Sequence, residues 1–289
     1  QVPKGRVNYE PSSLQADSPR ETARGFRSFA EPAGSGAKGR RRPESFADHY
    51  SQARQFWRSQ TAVEQAHIAT AFVFELSKVE TPHVREAVVG HLRHVDAALA
   101  QRVADGLGMP TLPPAPEAAA PVRDLDPSPA VGLIAKMRPT LEGRCVGLLV
   151  DEGSDAKRVS AVRRAVEAEG AQLKVVAPKI GGVALSDGTH LPADGALMGT
   201  PSVLFDAVAL VLTDAAGAAL AEEAAAVDFV RDAFGHLKAI AHDDGAATLL
   251  AKAAIEPDAG VVRLGAAKAF VEAAKTRFWD REPTLRTLA

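Results

Sequence analysis

The chain is short of the features that would place it outside a reducing compartment or inside a membrane. Its 289 residues contain a single cysteine, Cys145, so no disulfide can close within the chain. That favours a reducing, intracellular setting, and a cytoplasmic location is the expectation. No apolar run reaches the roughly 18 residues of a membrane span. The net charge of -2 sets up no field that would draw nucleic acid or an anionic bilayer, so neither is expected as a partner. A basic-then-apolar leader is missing, and the chain starts Gln1-Val2-Pro3 without Met, the mark of a fragment or a processed product. What remains is an ordinary soluble composition, 46% hydrophobic and 24% charged, on a length that suits about two domains.

Residues 1–45 lack apolar periodicity and are rich in Gly, Pro, Ser and Arg, as in Gly34-Ser35-Gly36-Ala37-Lys38-Gly39. Such a stretch buries no core of its own and reads as a disordered segment or an arm laid along another surface. Arg40-Arg41-Arg42 could suggest nucleic-acid contact or nuclear import, but few further basic residues flank it, so it reads as a solvated loop or as arginines pairing across a subunit interface.

Residues 46–105 carry helical periodicity. Phe46, Tyr50, Ala53, Phe56 and Trp57 form one apolar stripe. Thr61-Ala62-Val63-Glu64 fits a capping box. The helix after it turns Val63, Ala66, His67, Thr70, Phe74 and Val73 toward a partner. Thr81-Pro82 starts a third helix, whose stripe of Val84, Val88, Leu92, Val95 and Leu99 runs to about Asp105, with breaks allowed inside it, before Gly106 and Gly108 end it. Three antiparallel helices are therefore expected. Eight prolines between Pro110 and Pro139 turn residues 106–140 into an extended, semi-rigid linker.

From residue 141 short apolar runs alternate with helical stretches. Strands are expected at 144–150, 172–177, 207–212, 237–241 and 260–264, with helices at 154–169, 217–234, 243–254 and 266–278 and a small hairpin near Val183–Leu191. This alternation predicts an α/β domain with a parallel sheet covered on both faces.

Several groups are candidates for chemistry. His91 and His94 stand three apart on one helix, but Asp96 and Glu86 are poorly phased to complete a metal set, so solvent-facing histidines are expected and no metal. His49 and His67 read as packing or hydrogen-bonded residues. Asp151-Glu152-Gly153-Ser154-Asp155 ends the first strand; its acidity opposes phosphate and Gly-x-Gly-x-x-Gly is missing, so it reads as a capping turn with Ser154 or Asp155 at the cap. Gly181-Gly182 reads as a turn.

Gln1-Val2-Pro3-Lys4-Gly5-Arg6-Val7-Asn8-Tyr9-Glu10-Pro11 resembles the segment that follows the haem domain of catalases. Pro43-Glu44-Ser45-Phe46-Ala47-Asp48-His49-Tyr50-Ser51-Gln52-Ala53-Arg54-Gln55-Phe56-Trp57 and Phe72-Val73-Phe74-Glu75-Leu76-Ser77-Lys78-Val79 resemble the helical domain of the large-subunit group. The last domain is similar to the flavodoxin-like, class I amidotransferase-like C-terminal domain of large catalases. The resemblance implies a wrapping arm (1–45), an all-α helical domain (46–105), a linker (106–140) and a flavodoxin-like domain (141–289). It also implies a homotetrameric parent that disproportionates hydrogen peroxide at a buried haem. The family's ligand tyrosine lies in an Arg-x-x-Ser-Tyr-x-Asp-Thr motif, beside a distal His and Asn. Tyr9 and Tyr50, the two tyrosines here, match neither context. No catalytic, cofactor-binding or metal residue is therefore expected in this chain, and the haem ligand is expected upstream of Gln1.

Two rivals stay open. A chaperone-like or interaction module would use the free flavodoxin-like domain. A degenerate amidotransferase or protease-like hydrolase would need a cysteine nucleophile on a strand-to-helix elbow. At the comparable strand end, Ile240-Ala241-His242-Asp243-Asp244-Gly245, Ala241 or its neighbours take the cysteine's place. Cys145 falls in the first strand, where an inert thiol is expected.

Overall fold

The computed structural model describes Gly36 and residues 39–265 and 267–289. Two units result, 1–46 and 47–289. In the first, Arg40, Arg41 and Arg42 are exposed and Phe46 donates its N–H to Pro43 O at 3.0 Å. The arm expected over residues 1–45 otherwise lies outside the described residues.

The second unit opens with four helices: α1 (Ser51–Arg58), α2 (Ala62–Ser77), α3 (Pro82–Val95) and α4 (Ala97–Gly106). The capping box forms in full, with Glu64 N–H on Thr61 Oγ1 and Thr61 N–H on Glu64 Oε2. The expected third helix is two. Asp96 leaves helical geometry, and its carboxylate takes the N–H groups of Ala98 and Leu99 at 2.8 and 3.0 Å, which starts α4. Trp57, Ala69, Leu76, Val89, Leu92, Leu99 and Val103 build the helical core.

The stripe expected on α1 is narrower than its spacing suggests. Tyr50 and Trp57, two turns apart, are buried, whereas Phe46, Ala53 and Phe56 are exposed. Phe74 also faces out, with Lys78 Nζ 3.7 Å above its ring, and Val84 is exposed. α2 instead turns inward its small residues Ala66 and Ala69, and Leu76, so that neighbouring helices approach closely.

The proline-rich stretch is a strap rather than a spacer. Arg123 Nη2 meets Asp48 at 2.9 Å and its N–H meets Ser51 Oγ at 2.8 Å. Asp48 itself is held at about 2, through the side-chain and backbone hydrogen bonds of Ser51 and then Arg123. Asp124 pairs with Arg54, and Ser128 N–H reaches Ser59 Oγ at 2.8 Å. Further along, the N–H groups of Leu133 and Ile134 converge on Glu64 Oε1 at 2.7 and 3.0 Å. Proline removes donors, and four that remain, the N–H groups of Arg123, Ser128, Leu133 and Ile134, are given to side chains of α1, α2 and Ser59.

Beyond the strap the chain alternates strand and helix. In order come β1 (Cys145–Val150), α5 (Ala156–Ala168), β2 (Gln172–Ala177), the hairpin β3 (Val183–Ala184) and β4 (His190–Leu191), β5 (Gly195–Ala196) and β6 (Ala207–Val211). They are followed by α6 (Asp214–Leu220), α7 (Ala224–Gly235), β7 (Ile240–His242), α8 (Ala247–Lys252), β8 (Val261–Arg263), α9 (Ala267–Ala274) and α10 (Glu282–Leu285). The main sheet runs β5-β2-β1-β6-β7-β8, with every pairing parallel. Without edge strand β5 this is the doubly wound order 2-1-3-4-5. β5 is only two residues long, too short for the sequence to announce. The helix expected over 217–234 is split into α6 and α7 by the turn at Ala221–Glu223.

Alternation along β1 feeds two cores. Val146, Leu148 and Val150 pack with α5 and with Phe270 of α9. Leu149 joins Leu210, Phe229 and Leu249 on the other face. Gly147 is required on that second face, since a Cβ there would lie 2.4 Å from the Phe205 ring.

α8 ends on a strained residue. Ala254 has φ 54° and is exposed, while Ile255 N–H closes the helix on Leu250 O. An alanine in this region pays a steric penalty that glycine escapes, partly offset by glycine's freer unfolded chain. Ala254→Gly is expected to stabilise the protein by roughly 0.5–1 kcal/mol. Urea unfolding checks this, and a loss of stability would contradict the strain argument.

Candidate functional site

In a doubly wound sheet ligands bind where strand order reverses, outside the carboxyl ends of the strands. Here that is the crevice between β1 and β6, and a buried side chain of this chain bridges the two strand ends there. Ser154 is fully buried. Its Oγ accepts the Asp151 N–H at 3.0 Å and lies 2.7 Å from Asp151 O and 2.6 Å from Val211 O, which stitches the β1 loop to the end of β6. The helix cap falls to Asp155, whose carboxylate accepts the Arg158 N–H at 2.8 Å. Of the two residues the sequence offered as cap, Asp155 does that work and Ser154 bridges strands. Gly181-Gly182 forms the expected turn, with Gly182 N–H on Lys179 O.

Asp243 closes the crevice from the β7 side. Both its oxygens accept the Leu212 N–H, at 3.1 and 3.0 Å, and Arg158 Nη1 stands 3.6 Å away. Burial pushes its carboxyl above the usual range, against the pull of the Leu212 N–H and Arg158. No local pattern signals this role, because it depends on β6 and β7 lying side by side.

The strand-to-helix corner after β7 is not a nucleophile elbow. Asp243 has extended backbone, φ -94° and ψ -178°, where an elbow needs a sharp strained turn. Cys145 starts β1, at the opposite end of the strand from the crevice. Burial raises its thiol pKa, so the thiolate is disfavoured.

His91, His94 and His67 are engaged within the protein. Tyr50 OH lies 2.7 Å from His91 Nδ1, and its ring stacks on His94 at 4.4 Å. His94 Nε2 meets Pro116 O at 2.6 Å. The pair thus clamps Tyr50 and the strap; His91 is exposed as expected, whereas His94 is half-buried. Among the described residues no group of three or more potential metal ligands gathers. His49 sets its ring edge-on to Tyr50 at 6.1 Å. His67 Nε2 pairs with the buried Glu282 at 2.5 Å, and Trp279 lies edge-on to its ring. With Arg102 Nε on Ala289 O at 2.8 Å and Ala289 N–H on Thr70 Oγ1 at 3.0 Å, this fastens residues 279–289 to α2 and α4.

Two family models match this chain in sequence order. Residues 43–107 match "Catalase-related immune-responsive", and residues 142–283 match the "C-terminal domain found in long catalases". The chain belongs to the long-catalase family. It is similar to Catalase C of Rhizobium meliloti, 47% identical over 292 residues, which cover 98% of this chain and 41% of that protein. Catalase HPII of Pseudomonas aeruginosa is 36% identical, covering 99% and 41%. Catalase-2 of Bacillus subtilis is 33% identical, covering 97% and 41%. This long-catalase chain therefore spans about two fifths of the curated relatives it matches.

Haem does not fit the described tyrosine. The Tyr50 oxygen is taken by His91, and its ring is closed off by His94. Tyr9 lies outside the described residues. In this long-catalase chain no helix among the described residues is long and apolar enough to cross a membrane.

Proposed function

We infer that this chain is the scaffold of a catalase and that its parent disproportionates hydrogen peroxide at a haem held by residues outside these 289. The observation that carries the reading is that the two places where a cofactor would be sought are taken up by internal hydrogen bonds: Ser154 links the β1 loop to the end of β6, and Tyr50 OH meets His91. Residues 1–45 act as an interlocking arm, 46–105 as the helical domain and 106–140 as the strap. Residues 141–289 are a flavodoxin-like domain that stabilises the assembly. The parent is a cytoplasmic homotetramer, and this chain contributes no catalytic, haem-binding or metal residue. A hydrolase reading is disfavoured by Cys145 at the wrong strand end and by the extended backbone at Asp243.

Haem chemistry needs an axial ligand and a pocket that tunes the iron. The purified chain titrated with hemin is therefore expected to give no tyrosinate-type Soret spectrum and no peroxide turnover above that of free hemin. Tight stoichiometric haem binding with turnover would overturn the assignment.

A further inference from the structure

We propose that Met198 is the site at which hydrogen peroxide modifies this chain, taking up one oxygen atom as methionine sulfoxide without disturbing the fold.

The three methionines sit in different surroundings. Met198 is 88% exposed. It occupies the single 3-10 turn Leu197–Gly199 on the β5–β6 connection. The turn is anchored by its neighbour, since Leu197 is buried in the α7–α8 face of the sheet core and Thr200 N–H closes on Leu197 O. Val203 and Leu204, further along the connection, are themselves exposed. Met198 thus reaches solvent from a fixed backbone and contributes nothing to a core. Met109, by contrast, packs against the helical core, and Met137 is partly covered just after the strap's 3-10 turn. The remaining sulfur, Cys145, is half-buried at the start of β1, and burial disfavours its reactive thiolate.

Oxidation of a thioether depends on access to its lone pair. The Met198 sulfur attacks one oxygen of hydrogen peroxide, an S–O bond forms and the O–O bond breaks. The departing hydroxide takes up the proton of the transferred hydroxyl and leaves as water. Sulfur loses two electrons and peroxide gains them. The product is polar, and reductases return it to the thioether. At Met109 the same change would put a polar group against the core. At Met198 it adds a dipole where water already is.

The test treats the full chain with a graded series of hydrogen peroxide and maps the added oxygen by peptide mass spectrometry. Met198 is expected to be mostly oxidised at a dose that leaves Met109 and Met137 mostly unmodified. The singly oxidised chain is expected to melt with the untreated one. Met198→Leu should abolish the first-formed oxidised species while leaving the melt unchanged. Oxidation of Met109, Met137 or Cys145 ahead of Met198, or a lowered melting temperature of the chain oxidised at Met198 alone, would overturn the proposal. Because the peroxide is supplied externally, neither result depends on the catalase assignment.

Discussion

Glu64→Gln is expected to lower folding stability by about 3 kcal/mol at pH 7 and by only about half as much at pH 3. Glu64 is buried and works for two segments at once. Its Oε2 accepts the N–H of Thr61 at 2.8 Å and its hydroxyl at 2.9 Å, and its Oε1 accepts the N–H groups of Leu133 and Ile134. Burial alone would raise its pKa; the hydrogen bonds from Ile134, Thr61 and Leu133 together outweigh it and bring the carboxyl from 4.5 to about 2. The folded-state pKa is depressed, so the stabilisation is fully present above the unfolded value and is lost as pH falls from about 5 through 2. Glutamine is close to a permanent image of the protonated form. It turns donors toward Thr61, whose own donors lose their acceptor. The gap between wild type and variant should therefore shrink as acid protonates the wild-type carboxyl. Urea unfolding at the two pH values measures the gap, and an equal gap at both would show that the carboxylate's charge is irrelevant. Glu64→Ala removes the acceptor altogether, leaves three backbone donors stranded, and is expected to cost about 3–5 kcal/mol.

Arg281→Ala is expected to cost about 2–3 kcal/mol, because it leaves the carbonyl of buried Lys238 without its donor and takes packing away from Phe234 and Phe278. The guanidinium is buried. It holds Asp258 with two nitrogens, Nη2 at 2.7 Å from Oδ1 and Nε on Oδ2, and gives Nη1 to Lys238 O at 2.7 Å. Phe234 and Phe278 lie against it, with ring centroids 4.2 and 4.8 Å from Cζ. One side chain thereby ties the segment after α9 to the end of α7 and to the loop before β8. Lysine keeps the charge but lacks the planar fork and its several donors, so Arg281→Lys should restore less than half of the loss. A double-mutant cycle with Asp258→Asn separates the ion pair from the packing. Full recovery by lysine would mean that charge alone mattered.

How far the sequence was legible differs from feature to feature. The Thr61–Glu64 box could be read because both partners lie within one turn, and Gly170, with φ 73°, closes α5 where the pattern ends. The α1 stripe could not. Phe56 follows the period that buries Tyr50 and Trp57, yet it is exposed, and periodicity cannot say how wide a face the neighbours cover. The second duty of Glu64, toward Leu133 and Ile134, spans 69 and 70 residues and leaves no local trace. The same holds for the Ser154 bond to Val211, 57 residues away, and for Asp243 on Leu212. The break between α6 and α7 also comes from packing. Gly217 presses so closely on the β7–α8 turn that a Cβ there would meet Gly245 O at 1.9 Å, and the chain must turn to keep both α6 and α7 on the sheet.

By itself the sequence determined what local chemistry can determine. It set the helical and strand periods, the cap at Thr61, the proline segment that cannot become a helix, and the parallel α/β order, since alternating short apolar runs and helices have few ways to bury both faces of a sheet. Only the tertiary structure decided which polar groups meet: that the strap is pinned to α2, that residues 279–289 return to α2 and α4, and that Ser154 bridges the ends of β1 and β6. A buried donor or acceptor has to find a partner, and its partner is chosen by the packing of distant elements, which no stretch of sequence records.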